Sequence, residues 1–175
     1  VGGVYRSMKI ASGYNTSIFF GDAVKVVTGG TVERDAFDAA MTPVGVFMGC
    51  KYTDPNLGYE LYSQRFPAGT VASDIVAYVA DATELLFKAA VVSSGTTIGD
   101  LALTDIGANV AGVDNTGDSA SGNSRGAISD TSATTNTLPF RIIGLVEETK
   151  NSSGGYTEAY VKWNAGHQYS NTTGV

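Results

Sequence analysis

The sequence predicts an all-β fold: a small β-barrel or sandwich of short antiparallel strands, with an extended N-terminal arm and at most short helices. Three observations carry this. Gly is abundant, at 22 of 175 residues, and Ser, Thr, Ala and Val crowd the chain, a mixture that suits short strands and frequent turns. Apolar residues alternate with period two over several short stretches. Gly, Asp, Asn and Pro clusters separate those stretches, as they do in barrels and sandwiches.

Each element follows in order. Residues 1–16 show no sustained period and read as an arm. Regular structure begins at "TSIFFGDAVKVV", where Ile18 and Phe20 share a face with Val24 and Val26, and Gly21-Asp22 supplies a turn or bulge. "VERDAFDAAM" is the best short-helix candidate, ending before Pro43. In "VGVFMGCKY" the residues Val44, Val46, Met48, Cys50 and Tyr52 alternate with Gly45, Phe47, Gly49 and Lys51, which is one strand with Cys50 on its apolar face. "TDPNLG" then makes a tight loop and "YELYSQRF" returns as the second arm of a hairpin.

"DIVAYVAD" places Ile75, Ala77 and Val79 on one side and Val76 and Tyr78 on the other. "ELLFKAAVV" reads as a strand from its Val and Phe content. "LALTDIGANVAGV" holds a short helical turn capped by Thr104 or Asp105. Residues 112–137, rich in Gly, Ser, Thr, Asn and Asp, read as a long polar surface loop with a short strand at Ala127-Ile128. "LPFRIIGLVEE" and "YTEAYVKWNAG" are the last two strands; in the second, Thr157, Ala159, Val161 and Trp163 face inward and Tyr156, Glu158, Tyr160 and Lys162 outward. The organisation is thus an arm at 1–16, a barrel-like domain at 17–169 and a tail at 170–175.

Chemistry is sparse. The net charge is −6 and no Lys/Arg cluster occurs, which argues against nucleic-acid binding, since that is dominated by phosphate neutralisation. No apolar run approaches the roughly 20 residues that span a bilayer, and the first 15 residues lack the apolar core of a secretory signal. The single Cys excludes an internal disulfide. Cys50, in register with Val46 and Met48, is expected to be buried as a small hydrophobe, without the basic neighbour a thiolate needs.

His167, the only histidine, has no nucleophile elbow to serve, and is expected to be exposed or in a terminal contact. Asp114 and Asp118 lie near each other but lack the ligand spacing and distal Glu of a calcium loop. Glu147 and Glu148, adjacent on a strand end, point to opposite faces. No catalytic, cofactor-binding or metal-binding residues are therefore assigned. What stands out is tyrosine, with nine residues, several of them in terminal or exposed positions where the side chain suits protein interfaces.

The blocks "TSIFFGDAVKVVTGGTV", "PVGVFMGCKY", "RFPAGTVASDIVAYVAD", "LPFRIIGLVEE" and "AYVKWNAGHQY" run in the order found in the capsid decoration, or cement, proteins of podovirus-like tailed bacteriophages, which this chain resembles over residues 14–169. The resemblance implies a structural virion protein, not an enzyme and without a cofactor. It would bind the outer surface of an icosahedral capsid and clamp neighbouring major capsid protein subunits. It implies a homo-oligomer, a trimer ahead of a dimer, made in the host cytoplasm and carried on the virion. Capsid or subunit contacts are expected at Tyr5, Arg6, Met8, Tyr14, His167 and Tyr169, with the arm ordering on the shell or on a sister subunit. The alternative is a receptor- or glycan-binding head- or tail-fibre module, using Tyr160, Trp163 and the 112–137 loop as a carbohydrate platform.

Overall fold

The computed structural model describes residues 5–164 and 166–170. It is all-β, with twelve strands in two six-stranded sheets and no helix beyond single 3-10 turns at Leu103–Asp105 and Glu147–Thr149 among the described residues. The first sheet holds β1 (Arg6–Lys9), β2 (Ala23–Val26), β3 (Val32–Arg34), β4 (Gly45–Thr53), β5 (Glu60–Ser63) and β6 (Val76–Ala80), in the order β1-β6-β4-β2-β3 with β5 beside β4. The second holds β7 (Leu86–Ser94), β8 (Thr97–Ile98), β9 (Asn109–Val113), β10 (Ala127–Ala133), β11 (Phe140–Leu145) and β12 (Glu158–Trp163), in the order β10-β9-β11-β12-β7-β8.

A further pairing of β10 with β7 closes five strands of the second sheet into a ring. A ring with an odd number of strands cannot alternate direction all the way round. One neighbouring pair must run parallel, and it is this one: Ile128 opposite Val91 and Ser129 opposite Val92. A ring this narrow is filled by its own side chains. Val110, Ile128, Ile142, Ala159 and Val161 do so, all buried.

β2 and the start of β4 form a wall shared by two cores. Val24 and Phe47 pack into the core of the first sheet, while Ala23 and Val46 turn to the core of the second. The wall is thin because Gly45 lies against the backbone of Ala80, where any Cβ would collide with a carbonyl.

Five local expectations are corrected. β4 does not keep one apolar face. Phe47 opposes Val79 and Cys50 opposes Ala77, so β4 carries one extra residue there, and Gly49 takes φ 123°. This bulge exchanges the two faces. Phe47, Cys50 and Tyr52 are buried, and Val46 and Met48 lie on the other side.

The helix expected over 32–41 is absent. Val32–Arg34 pairs with β2, and the carboxylates of Asp35 and Asp38 accept the backbone N–H groups of Thr42 and Ala40, a local competition that helices lose. Residues 6–9 of the presumed arm are a strand in register with β6, Met8 opposite Ala77. The polar 112–137 segment contains the whole of β10 as well as the end of β9. Finally, Tyr156, assigned to an outer face, is buried beneath Lys150 and bridges Leu101 just before β12 begins.

Candidate interaction surface

The six expected contact residues divide. Tyr5 is 57% exposed and Tyr169 is 49% exposed. Met8 and Tyr14 pack against the first core; the Tyr14 ring stacks on Phe66 with centroids 6.2 Å apart, and its hydroxyl accepts the Arg34 backbone N–H at 3.1 Å. His167 is buried, only 1% exposed, which corrects the first of the two positions expected for it, exposed or in a terminal contact. The cause is long-range docking. The imidazole is held between Trp163, at 5.9 Å between ring centroids, and Tyr169, at 5.6 Å.

Arg6, His167 and Tyr169 thus come together although they sit at opposite ends of the chain. The Arg6 guanidinium lies 5.3 Å from the centre of the Tyr169 ring and pairs with buried Asp81 at 2.8 Å. Gln168 fixes the same segment. Its side-chain amide donates to the Val26 carbonyl at 2.9 Å and accepts the Val26 N–H at 2.7 Å, continuing the ladder of β2 where β4 leaves it. Burial lowers the His167 pKa, against the opposing pull of the Asp81 charge. Sequence reading missed Asp81 and Gln168; the one available signal was a carboxylate closing the apolar run "VAYVAD".

The seam between the sheets is a second polar cluster that was not foreseen. Asp22 is fully buried and accepts the Phe19 N–H at 2.9 Å, Arg34 Nε at 3.1 Å and the Ser124 hydroxyl at 2.5 Å. Arg34 then reaches Asp114 with both terminal nitrogens. The polar loop expected to be free at the surface therefore fastens one sheet to the other.

Cys50 has no chemistry to offer in this setting. It is buried, and desolvation pushes its thiol up to about 12. Among the described residues, no group of three or more His, Cys, Asp and Glu could hold a metal ion. Nor, among those residues, is any helix long and apolar enough to cross a membrane.

Large exposed apolar side chains occur at several places, Ile98 and Val71 among them, and three lie on the β4–β5 hairpin. Leu57, Tyr59 and Tyr62 are all exposed there, Tyr62 at 67%. Beside them, a groove of about 370 Å³ runs over the outer face of the first sheet, lined by Phe20, Met48, Tyr62 and Tyr78. Tyr62 is pre-positioned: its hydroxyl donates to Glu60 at 2.8 Å, Lys51 pairs with the same carboxylate at 2.8 Å, and Lys51 Nζ lies 5.9 Å from the ring centre. Hydrogen bonds from Lys51 and Tyr62 hold the Glu60 carboxyl below its usual range. This is a rigid aromatic patch with a charged rim, the composition favoured at the centre of protein interfaces. Trp163, in contrast, is buried and forms no part of any outer platform. No protein-family model, no curated protein and no solved structure matches the chain.

Proposed function

We propose that the protein is a structural component of a virus particle, bound to the outer surface of an icosahedral phage capsid. There it bridges neighbouring major capsid protein subunits as a homo-oligomer, without catalysis, cofactor, nucleic acid or membrane. The reading starts from the resemblance to phage decoration proteins. The observation that carries it is the exposed aromatic patch of Leu57, Tyr59 and Tyr62 beside the Phe20–Met48–Tyr78 groove. A Tyr held by a neighbouring ion pair enters an interface with little side-chain entropy left to lose. The acidic net charge suits the outer surface of a shell better than a DNA-filled interior. Modest contacts repeated over a lattice add up to stable attachment.

Co-sedimentation of the purified protein with assembled capsids of the phage tests this. The wild-type chain is expected to pellet with shells, and Tyr62→Ala to bind at least about tenfold more weakly, as interface anchors do. Imaging of decorated particles should place the density outside the shell at the junctions between capsomers. A protein that stays in the supernatant, or Tyr62→Ala binding at full strength, would reject the assignment of this face.

A further inference from the structure

The ring of the second sheet is incompletely closed. β7 and β10 pair only from Val91 and Ile128 onward, so the earlier half of β7 has no neighbour on that side. Phe87 and Ala89 belong to the inner face, opposite Val161 and Ala159, which are fully buried; both are nevertheless only partly covered. The result is a slot in the barrel wall that opens into an apolar cavity of about 330 Å³. Gly126 and Ala127 form its far rim, and Val46 of the shared wall closes its end.

The walls are aromatic. Trp163 packs edge-on to Phe87 and stacked with Phe140, each at 5.0 Å between centroids, and Phe37 continues the row 6.3 Å beyond Phe140. Lys88 is the one charged residue at the rim, and Glu158 already holds its ammonium at 2.7 Å. Trp163 is more than nine-tenths buried, and its indole N–H, like His167 Nε2, is sealed from the slot as well as from solvent, so the indole offers the slot only carbon.

We propose that this slot binds a small, uncharged, flat aromatic molecule. The volume lies at the lower end of the range for ligand sites, and apolar cavities of smaller size bind single aromatic rings. Flat walls select a ring, and a rim whose one charge is already paired selects a neutral one. The site does not depend on what the outer surface of the protein adheres to.

Trp163 is the only tryptophan, so ¹⁵N-labelled protein gives one indole N–H signal that reports on the slot directly. Ethylbenzene and ethylcyclohexane have the same carbon skeleton and differ in the flatness of the ring. Ethylbenzene is expected to move the indole signal saturably and to bind roughly fivefold more tightly than ethylcyclohexane, the worth of one aromatic contact. Ala89→Leu from β7 and Val46→Phe from the shared wall each fill the slot, and in whichever variant keeps the wild-type amide spectrum elsewhere the response should vanish. An indole signal unmoved up to the solubility limit of ethylbenzene overturns the proposal. Equal affinity for the two probes removes the selection for a flat ring, and undiminished binding in a folded filled variant removes the location.

Discussion

Cys50 shows how much one side chain's setting decides. A thiol pushed up to about 12 by burial is protonated at neutral pH, and its Sγ donates to the Arg65 carbonyl at 3.7 Å. Native protein at pH 8 should therefore react with a disulfide reagent far more slowly than the same chain in denaturant, because the thiolate forms only when the strand opens. Fast stoichiometric labelling of the native chain would contradict the burial. Sequence reading reached the correct burial of Cys50 by an alternation that the chain does not keep. Val46 and Met48, its supposed companions, lie across the bulge on the opposite face. A glycine in a strand signals such a bulge only weakly, and nothing local to Gly49 says that the ladder to β6 must absorb an extra residue there.

The segments whose periodicity is strong were legible as elements: the β4–β5 hairpin, β6, β7, β11 and β12 all lie where alternation and turn chemistry place them. The C-terminal segment 166–170 was not, because nothing in "GHQYS" is periodic; its place is set by Gln168 reaching Val26 and by His167 entering between two aromatic rings. The same logic hid β1, four residues whose only partner is distant β6. The docking of His167 has a pH signature. Its folded pKa lies below the ordinary value of 6.5, so the folded chain favours the neutral imidazole. The associated stability is complete above about pH 6.5 and declines as pH falls from there toward the folded pKa, because the unfolded chain takes the proton first. Asp81 and Tyr169 face the ring and Arg6 is paired with that carboxylate; Asp81 opposes the shift. Urea titrations between pH 7 and 5 should show the loss, and His167→Gln should flatten it. The sole histidine gives a single imidazole resonance to follow; a midpoint above 6.5 would reverse the sign.

At the scale of the whole molecule, the two sheets are joined through Asp22, Arg34, Ser124 and Asp114. Removing the buried carboxylate leaves Arg34, itself 15% exposed, short of one partner in a poorly hydrated place. Asp22→Ala is expected to cost about 3–5 kcal/mol in chemical denaturation, the range for breaking a buried pair. Asp114→Ala, on the wetter side of the same arginine, should cost no more than about 1 kcal/mol. Similar losses from both variants would mean that the seam is not the inner bond described. None of this was visible along the chain, since Asp22, Arg34 and Asp114 are scattered through it and each looks like an ordinary loop or strand-end charge. The aromatic patch on the β4–β5 hairpin was legible only in part. Sequence reading singled out tyrosines near the two ends, of which Tyr14 is inside, and passed over Tyr59 and Tyr62, whose facing turns on the hairpin register, where a slip of one residue exchanges the two faces.

The odd strand count of the ring has a last consequence. Four of its five junctions are antiparallel, and two junctions, the parallel β7–β10 and the antiparallel β9–β11, are matched at only two positions each, against five for β7–β12 and five for β11–β12. When the barrel breathes, it should part along those two lines first, as a cuff unbuttons where the fewest buttons were sewn. Amide protons bonded across them would then trade with deuterium sooner than those between β11 and β12, and the small central cylinder would come apart as two pieces, β11–β12–β7 and β9–β10.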